Sequence, residues 1–293
     1  MILVFGKNGQ LGKCLAETAP SDQKVLYLER SQCDLAVPGA VTACLDTHEP
    51  DWIINAAAYT QVDQAEEEPE LAYQINSKAV EEMAAWVAQR KPTSTRLIHI
   101  STDFVFDGEA TSPYSPDSET NPLGEYGRSK LAGENAILDL APDSSMIIRT
   151  AWVYSEHGSN FVRTMLRLMS EREELGVVND QRGSPTYARS LAEVIWRIVT
   201  TGKFEPGIYH WTDAGDITWH DFAAAIQEEA IGLGLLETAI PVKPIGTADY
   251  PTPARRPAYS VLDCSKLGDL LHVEPKHWYD TLRAALVRLV EDQ

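Results

Sequence analysis

The chain opens on MILVFGKNGQLGKCLAETA, an apolar run that ends in glycine and passes at once into a helical pattern. Gly6, Gly9 and Gly12 fall at three-residue intervals across that junction. No other feature restricts the fold as much. A short buried strand followed by a helix commits the next strand to lie parallel to the first. The pattern then repeats. KVLYLER, DWIINAAA, RLIHIST and SMIIRTAWV read as further strands, and PGAVTACLDTHEP, PELAYQINSKAVEEMAAWVAQR and EYGRSKLAGENAILDL as the helices between them. The alternation predicts an α/β fold over residues 1–155, a doubly wound, Rossmann-like parallel sheet with helices on both faces.

The glycine loop has a chemical use in that setting. Glycine admits positive φ and lets the backbone approach a ligand closely, and the helix N-terminus behind it favours negative charge. Gly6, Gly9 and Gly12 are therefore expected against the pyrophosphate of a dinucleotide. A tight turn that holds no ligand is the plainer alternative. At the end of the second strand an acidic residue suits the ribose hydroxyls of NAD and an arginine suits the 2′-phosphate of NADP. Glu29 and Arg30 stand there side by side, so NADPH or NADH is expected. Asp34 and Leu35 are placed to meet the adenine, although Asp34 could equally cap the helix that follows.

Beyond residue 155 the rhythm loosens. NFVRTMLRLMSEREE, YARSLAEVIWRIVTTG and TWHDFAAAIQEEAIGLG read as helices, GIYHWTD as a short strand, and HWYDTLRAALVRLVEDQ as a closing amphipathic helix. The proline-rich stretch 240–263 is expected to be irregular. Residues 156–293 thus form a smaller α+β part, expected to bind substrate and to exchange some chain with the dinucleotide domain. There is no internal repeat.

Composition narrows the partners. A net charge of −18 disfavours nucleic acid and anionic membrane. Any phosphate must be held by local devices. Cys14, Cys33, Cys44 and Cys264 have no paired spacing and read as reduced core thiols. The histidines show no metal-ligand spacing, and His210, His220, His272 and His277 read as structural. The N-terminus runs straight into a strand, with no signal peptide, and no apolar run reaches the ~18 residues of a membrane helix, so a cytoplasmic protein is expected.

The chemistry is expected where the fourth strand ends in HISTDFVFDG. In a doubly wound sheet the carboxyl ends of the strands line the ligand crevice, so Ser101, Thr102 and Asp103 point into it. Tyr126 and Lys130 follow on the next helix at i, i+4 and share one face. On its own such a pair is a solvated surface feature. Next to a cofactor crevice it is an acid/base device, in which an ammonium stabilises a phenolate and lowers the phenol's pKa.

These motifs together resemble the extended short-chain dehydrogenase/reductase superfamily. NAAAYTQVDQAEEEPELAYQIN, STDFVFDG, YGRSKLAGE, RTAWVY, NFVRTML, VNDQRGSPT and YPTPARRPAYSVLD narrow the resemblance to the dTDP-4-dehydrorhamnose reductase family, over nearly the whole chain. That resemblance implies reduction of a sugar-nucleotide C4 ketone, on the route to dTDP-L-rhamnose for cell-surface polysaccharide. It makes Thr102, Tyr126 and Lys130 catalytic, with Tyr126 the proton donor and Lys130 also on the cofactor ribose. By the same resemblance Gly9, Gln10 and Leu11 match the pyrophosphate loop, Ala58, Tyr59 and Thr60 line the cofactor, and Thr102, Asp103 and Trp152 meet the sugar nucleotide. Asn160 and Arg256 are candidates for the substrate diphosphate, although Asn160 reads equally well as an N-cap and Trp152 could be a core aromatic. A homodimer is compatible with the resemblance. Some members use a divalent metal through glutamates at a subunit contact. Here Cys14 and Arg189 stand at two of those places, so no metal is expected.

Three other functions compete with this one. Sugar-nucleotide 4,6-dehydratases carry Asp-Glu after the strand-end threonine, whereas this chain has Asp103 and then Phe104, which cannot protonate a leaving hydroxyl. Nothing in the sequence excludes a 4-epimerase. A non-catalytic regulatory subunit of the methionine adenosyltransferase type would have no use for the tyrosine–lysine pair.

Overall fold

The computed structural model describes residues 1–90 and 95–291. The last two residues of the expected closing helix lie outside that range. The first half runs β1 (Ile2–Phe5), α1 (Gln10–Glu17), β2 (Val25–Leu28), α2 (Ala40–His48), β3 (Trp52–Asn55), α3 (Pro69–Tyr73), α4 (Ala79–Ala88), β4 (Arg96–Thr102), α5 (Glu125–Leu140) and β5 (Ser145–Thr150). The second half runs β6 (Val153–Tyr154), α6 (Phe161–Glu171), β7 (Leu175–Val178), β8 (Arg182–Gly183), β9 (Thr186–Tyr187), α7 (Ala188–Thr201), β10 (Gly207–His210), β11 (Ile217–Thr218), α8 (Trp219–Gly232), β12 (Val242–Ile245), α9 (Ser265–Leu271) and α10 (Trp278–Glu291).

The central sheet has six parallel strands in the order β10-β5-β4-β3-β1-β2. Successive side chains of a strand face opposite sides, and both sides here are covered by helices. Ile2 and Val4 of β1 pack with Leu11 and Leu15 of α1 and with the apolar stripe of α7. Leu3 and Phe5 pack with Val41 of α2 and Met83 of α4 on the other side. The sixth strand comes from the second half of the chain, because β10 adds in parallel to β5 with His210 opposite Arg149. The remaining elements gather around a separate apolar cluster that includes Tyr154, Met165, Phe222, Ile226 and Leu286. Short pairs β6-β9, β8-β11 and β7-β12 tie that part together.

One predicted helix is broken. PELAYQINSKAVEEMAAWVAQR was expected to run unbroken, but a wide turn at Gln74–Lys78 separates α3 from α4. Asn76 lies in this turn. Its amide accepts from Tyr59 N at 2.8 Å and donates to Tyr59 O and Ser129 Oγ, both at 3.0 Å. The Tyr59 backbone therefore gets its partners from this helix, which opens by one residue to supply them.

A buried ion pair fixes α5 on the sheet. Glu134 meets Arg149 of β5 through two guanidinium nitrogens, Nη2 at 2.6 Å and Nε at 3.0 Å, with both side chains essentially inaccessible. Removing one partner strands the other charge in the interior, which typically costs about 3–5 kcal/mol. Glu134→Gln is expected to lower the urea-unfolding free energy by about 3 kcal/mol. An unchanged midpoint would show that the pair adds no net stability.

Candidate active site

The glycine loop brings α1 close to the sheet. Gly6 has φ +93°, and a Cβ on Gly12 would lie 2.0 Å from the Gly6 carbonyl oxygen, so neither position accepts a side chain as folded. Gly9 is the N-cap of α1, and no side chain caps the first turn. Backbone donors at the helix N-terminus are thus left for a ligand. They open onto a cavity of about 670 Å³ whose walls include Gly9, Gln10, Leu11, Ala58, Thr60 and Val62. This uncapped, close-packed helix start fits a dinucleotide pyrophosphate.

A neighbouring hollow of about 500 Å³ is lined by Glu29, Arg30, Asp34, Leu35, Tyr59 and Thr60. The Glu29 carboxylate accepts from Ser31 Oγ at 2.6 Å and Asn8 Nδ2 at 3.1 Å, which hold it below the usual carboxylate range. Arg30 is largely exposed and pairs with Asp34 at 3.1 Å. Asp34 accepts from the Ala36 N–H, and the N-cap of α2 is Gly39, so Asp34 does not cap that helix. The Tyr59 hydroxyl donates to Glu68 at 3.0 Å, and its ring is buried.

Thr102, Asp103, Tyr126 and Lys130 converge on the first cavity. Thr102 Oγ1 donates to Asp103 Oδ1 at 3.0 Å and accepts from the Phe104 N–H at 3.2 Å. The second Asp103 oxygen is buried with no well-formed hydrogen bond although Ser260 lies beside it, and burial pushes this carboxyl up to about 6. Lys130 is 1% exposed. Its amine donates to Ile100 O at 2.7 Å and lies 3.2 Å from His99 Nε2. Burial pulls its pKa down to about 8, partly offset by Glu134. The expectation for Tyr126 is reversed: burial pushes the phenol up to about 12. The Lys130 amine is turned to Ile100 and His99, and desolvation of a buried phenolate outweighs a cation placed there.

Beyond Asp103, Phe104 and Trp152 a second cavity of about 520 Å³ opens, walled by Phe161, Met165, Leu168 and Trp219. Trp152 belongs to both cavities. Its backbone sits at φ +48°, a strained conformation for an aromatic residue, and its ring stacks on Trp219 with centroids 3.5 Å apart. Gly183 lies under that ring, where a Cβ would approach it to 2.7 Å. Arg256 lines the second cavity but forms a two-pronged pair with Asp63, at 2.7 and 3.0 Å. Asn160 caps α6, accepting from Arg163 N at 3.1 Å, and donates to Gln10 Oε1 at 2.8 Å. It lines the first cavity together with Gln10.

Four further residues belong to this site. Phe161 and Trp219 complete the aromatic wall, and His99 and Asn55 lie behind Lys130. A histidine inside an otherwise apolar strand was the available signal for the last pair.

Around Cys14 and Arg189 the residues do not fit a hard divalent cation. Cys14, Glu156 and His157 come within 4.8 Å of one another. Yet Glu156 is paired with Arg288 at 2.7 Å, and Glu17 meets Arg189 at 3.1 Å and Arg288 at 3.2 Å. Guanidinium groups occupy the charge a cation would use, and burial pushes the Cys14 thiol up to about 12, away from thiolate.

The parallel sheet, the uncapped glycine-loop helix and the Thr-Tyr-Lys group at the strand ends define a Rossmann-type fold of the extended short-chain dehydrogenase/reductase superfamily. The family model described as RmlD substrate binding domain matches residues 1–291. A dTDP-4-dehydrorhamnose reductase of Aggregatibacter actinomycetemcomitans is 41% identical over 288 residues, covering 96% of this chain and 97% of the relative. The chain belongs to the dTDP-4-dehydrorhamnose reductase family. Among solved structures, a dTDP-4-dehydrorhamnose reductase from Clostridium acetobutylicum matches with a TM-score of 0.89 at 35% identity, over 99% of each chain. Another, from Bacillus anthracis in complex with NADP, matches with a TM-score of 0.88 at 33% identity, over 98% of each. No described helix is long and apolar enough to cross a membrane.

The ion-pair cluster around Glu17 yields a direct expectation. Reductase activity should survive exhaustive EDTA dialysis undiminished. Loss of activity restored specifically by magnesium would show a cation site that these guanidinium groups do not block.

Proposed function

We propose that this chain reduces the C4 ketone of dTDP-4-dehydro-L-rhamnose to dTDP-L-rhamnose, with NAD(P)H supplying the hydride. The observation that carries this reading is the junction of two cavities. One starts at the α1 N-terminus and ends at Thr102, Tyr126 and Lys130; the other is an aromatic-walled chamber entered past Asp103 and Trp152. A ketone held at that junction lies beside all three groups.

Tyr126 gives its proton to the ketone oxygen, and Thr102 hydrogen-bonds the same oxygen. A phenol that stays protonated at neutral pH is suited to act as the acid. Lys130, as the ammonium, stabilises the phenolate left behind and holds the cofactor ribose. Asp103, with one oxygen unpartnered, accepts from a sugar hydroxyl near the carbonyl. Trp152 and Trp219 close the sugar site, and Gly6, Gly9, Gln10, Leu11 and Gly12 hold the pyrophosphate. Ala58, Tyr59, Thr60, Asp34 and Leu35 line the nucleoside end. Residues 1–155 serve the cofactor and 156–293 the sugar nucleotide, with β10 returned to the sheet from the second part. Arg256 reaches the diphosphate only by giving up Asp63, whereas Asn160 serves by orienting Gln10. Cytoplasmic location and assembly as a homodimer belong to the same reading.

Phe104 separates this reaction from dehydration, because a phenyl ring next to Asp103 cannot protonate a leaving hydroxyl. Its ring packs edge-on against Tyr126, with centroids 5.5 Å apart. With dTDP-4-dehydro-L-rhamnose, one NAD(P)H should be oxidised per sugar reduced, followed at the absorbance of the reduced cofactor. With dTDP-glucose nothing should form. A 4-keto-6-deoxy product from dTDP-glucose would overturn this assignment.

Tyr126→Phe should lower turnover by roughly 10²–10⁴-fold while leaving cofactor affinity nearly unchanged. Near-normal turnover would remove Tyr126 from its role. The pH profile of kcat/KM should be a bell. It should fall below about 6 as Asp103 gains a proton and loses its acceptor, and above about 8 as Lys130 loses its charge. Asp103→Asn should flatten the acid limb alone. Arg30→Ala should weaken NADPH selectively, and equal losses for NADH and NADPH would exclude contact with the 2′-phosphate.

A further inference from the structure

Behind Lys130 lies a hydrogen-bonded pair that the proposed reaction does not use. Asn55 at the end of β3 and His99 on β4 are register partners on neighbouring strands, so their side chains rise together on the α5 face of the sheet. Both are fully buried. Asn55 Nδ2 lies 3.0 Å from His99 Nδ1, and His99 Nε2 lies 3.2 Å from the Lys130 amine. Three residues therefore form one line from the sheet to the amine. A polar line this deep must be satisfied at every link.

The orientation of the line follows from its fixed end. Asn55 Oδ1 accepts from the Ala57 backbone N–H at 3.2 Å, which leaves Nδ2 as the group facing the imidazole. An amide NH2 can only donate, so His99 Nδ1 must accept. The imidazole is neutral, because burial and the neighbouring Lys130 charge both oppose its protonation. Its single proton is then on Nε2, aimed at Lys130. The amine can accept that proton only through a lone pair, while it donates to Ile100 O at 2.7 Å. The line closes without conflict when Lys130 is an uncharged amine. When Lys130 is an ammonium, His99 has to carry its proton on Nδ1 instead. Asn55 must then turn its amide over and lose the Ala57 bond.

We propose that Asn55 and His99 are positioning residues that set the protonation of Lys130, by tying the loss of its proton to the tautomer of one buried imidazole. The pair acts against the other charges around the amine. Glu134, one turn further along α5, favours the ammonium, although its own charge is taken up by Arg149 of β5. Tyr126 lies one turn earlier on α5, and Asp103 beyond the end of β4 shares the cavity wall. Glu66, accepting from the Glu125 N–H at 2.8 Å, stands at the start of the same helix. Asn76 and Ser77, in the wide turn packed on α5, are polar but carry no charge. With Asn55 anchored to Ala57, the balance is moved toward the neutral amine. Lys130 is thereby able to release a proton close to neutral pH, where it can restore the one Tyr126 gives up. This rests on the reading of Lys130 as the partner of Tyr126.

The test reverses the polarity of the line. A carboxylate placed at position 55 accepts from both the Ala57 N–H and the imidazole Nδ1–H, which turns a lone pair of Nε2 toward Lys130 and favours the ammonium. Asn55→Asp should therefore move the alkaline limb of kcat/KM upward by about one pH unit. The same shift should appear in the pH dependence of the Kd for NADPH, measured by its fluorescence without any sugar nucleotide. That second readout does not depend on the substrate assignment. If Tyr126→Phe kept full turnover, the reading of Lys130 as the partner of Tyr126 would fail, whereas a folded Asn55→Asp protein with both alkaline limbs unmoved would overturn this proposal alone. Should the variant not fold, histidine-selective 15N NMR of the unaltered protein decides, with the His99 signals identified by their loss in His99→Gln. We expect Nε2–H above pH 9 and a change toward Nδ1–H as the pH falls through about 8. Nδ1–H at every pH would overturn the proposal.

Discussion

A lysine amine held out of water at the end of β4 is the constraint on which the rest of this structure depends. Its charged form is disfavoured by burial, the Ile100 carbonyl and the Glu134 charge one turn away offset that in part, and His99 stands against the amine from the other side. They come from two layers. Ile100 and His99 belong to the central sheet, and Glu134 is locked to β5 through Arg149. The helix that carries Tyr126 and Lys130 therefore cannot shift without breaking a buried ion pair, and the two side chains meet the cavity in a fixed orientation. Preorganisation of this kind lets a weak acid act at a defined point.

The second consequence is spatial. The glycine loop places the α1 N-terminus at one end of the crevice, and the strained Trp152 divides the crevice from the aromatic chamber. Trp152 is held from both sides, by the Trp219 ring and by the bare backbone of Gly183. Strain at such a position persists only where the surroundings over-determine it. The two stacked indoles thus connect α8 and β8 of the second half to the end of β5 in the first. Asp63 and Arg256 add a polar clasp between the proline-rich segment and the loop after β3.

Much of this was legible in the sequence, for physical reasons. The sheet could be read because both its faces are buried, so its strands are apolar runs bounded by glycine, proline and polar residues. The i, i+4 spacing of Tyr126 and Lys130, and the strand-end position of Thr102, placed them at one wall without any coordinates. What escaped depended on long-range partners. The break between α3 and α4 arises because Asn76 serves the Tyr59 backbone, and local helix propensity carries no trace of that. The entry of β10 into the parallel sheet joins residues far apart in sequence. The pairing of Arg256 with Asp63 was hidden for the same reason. The direction of the Tyr126 shift was misjudged because spacing reports proximity, whereas the buried phenol responds first to the loss of water and Lys130 turns its amine to other partners. The Asn55–His99 line needed the strand register before it could be seen.

The central claim is that Thr102, Tyr126 and Lys130 direct one hydride to C4 of a keto sugar held at the junction of the two cavities. The most direct measurement incubates the protein with dTDP-4-dehydro-L-rhamnose and NADPH carrying deuterium at both nicotinamide C4 positions, and reads the product by NMR and mass spectrometry. The account predicts dTDP-L-rhamnose with one deuterium, at C4 of the sugar and at no other carbon. A product without deuterium at C4, or deuterium at C3 or C5, would contradict it.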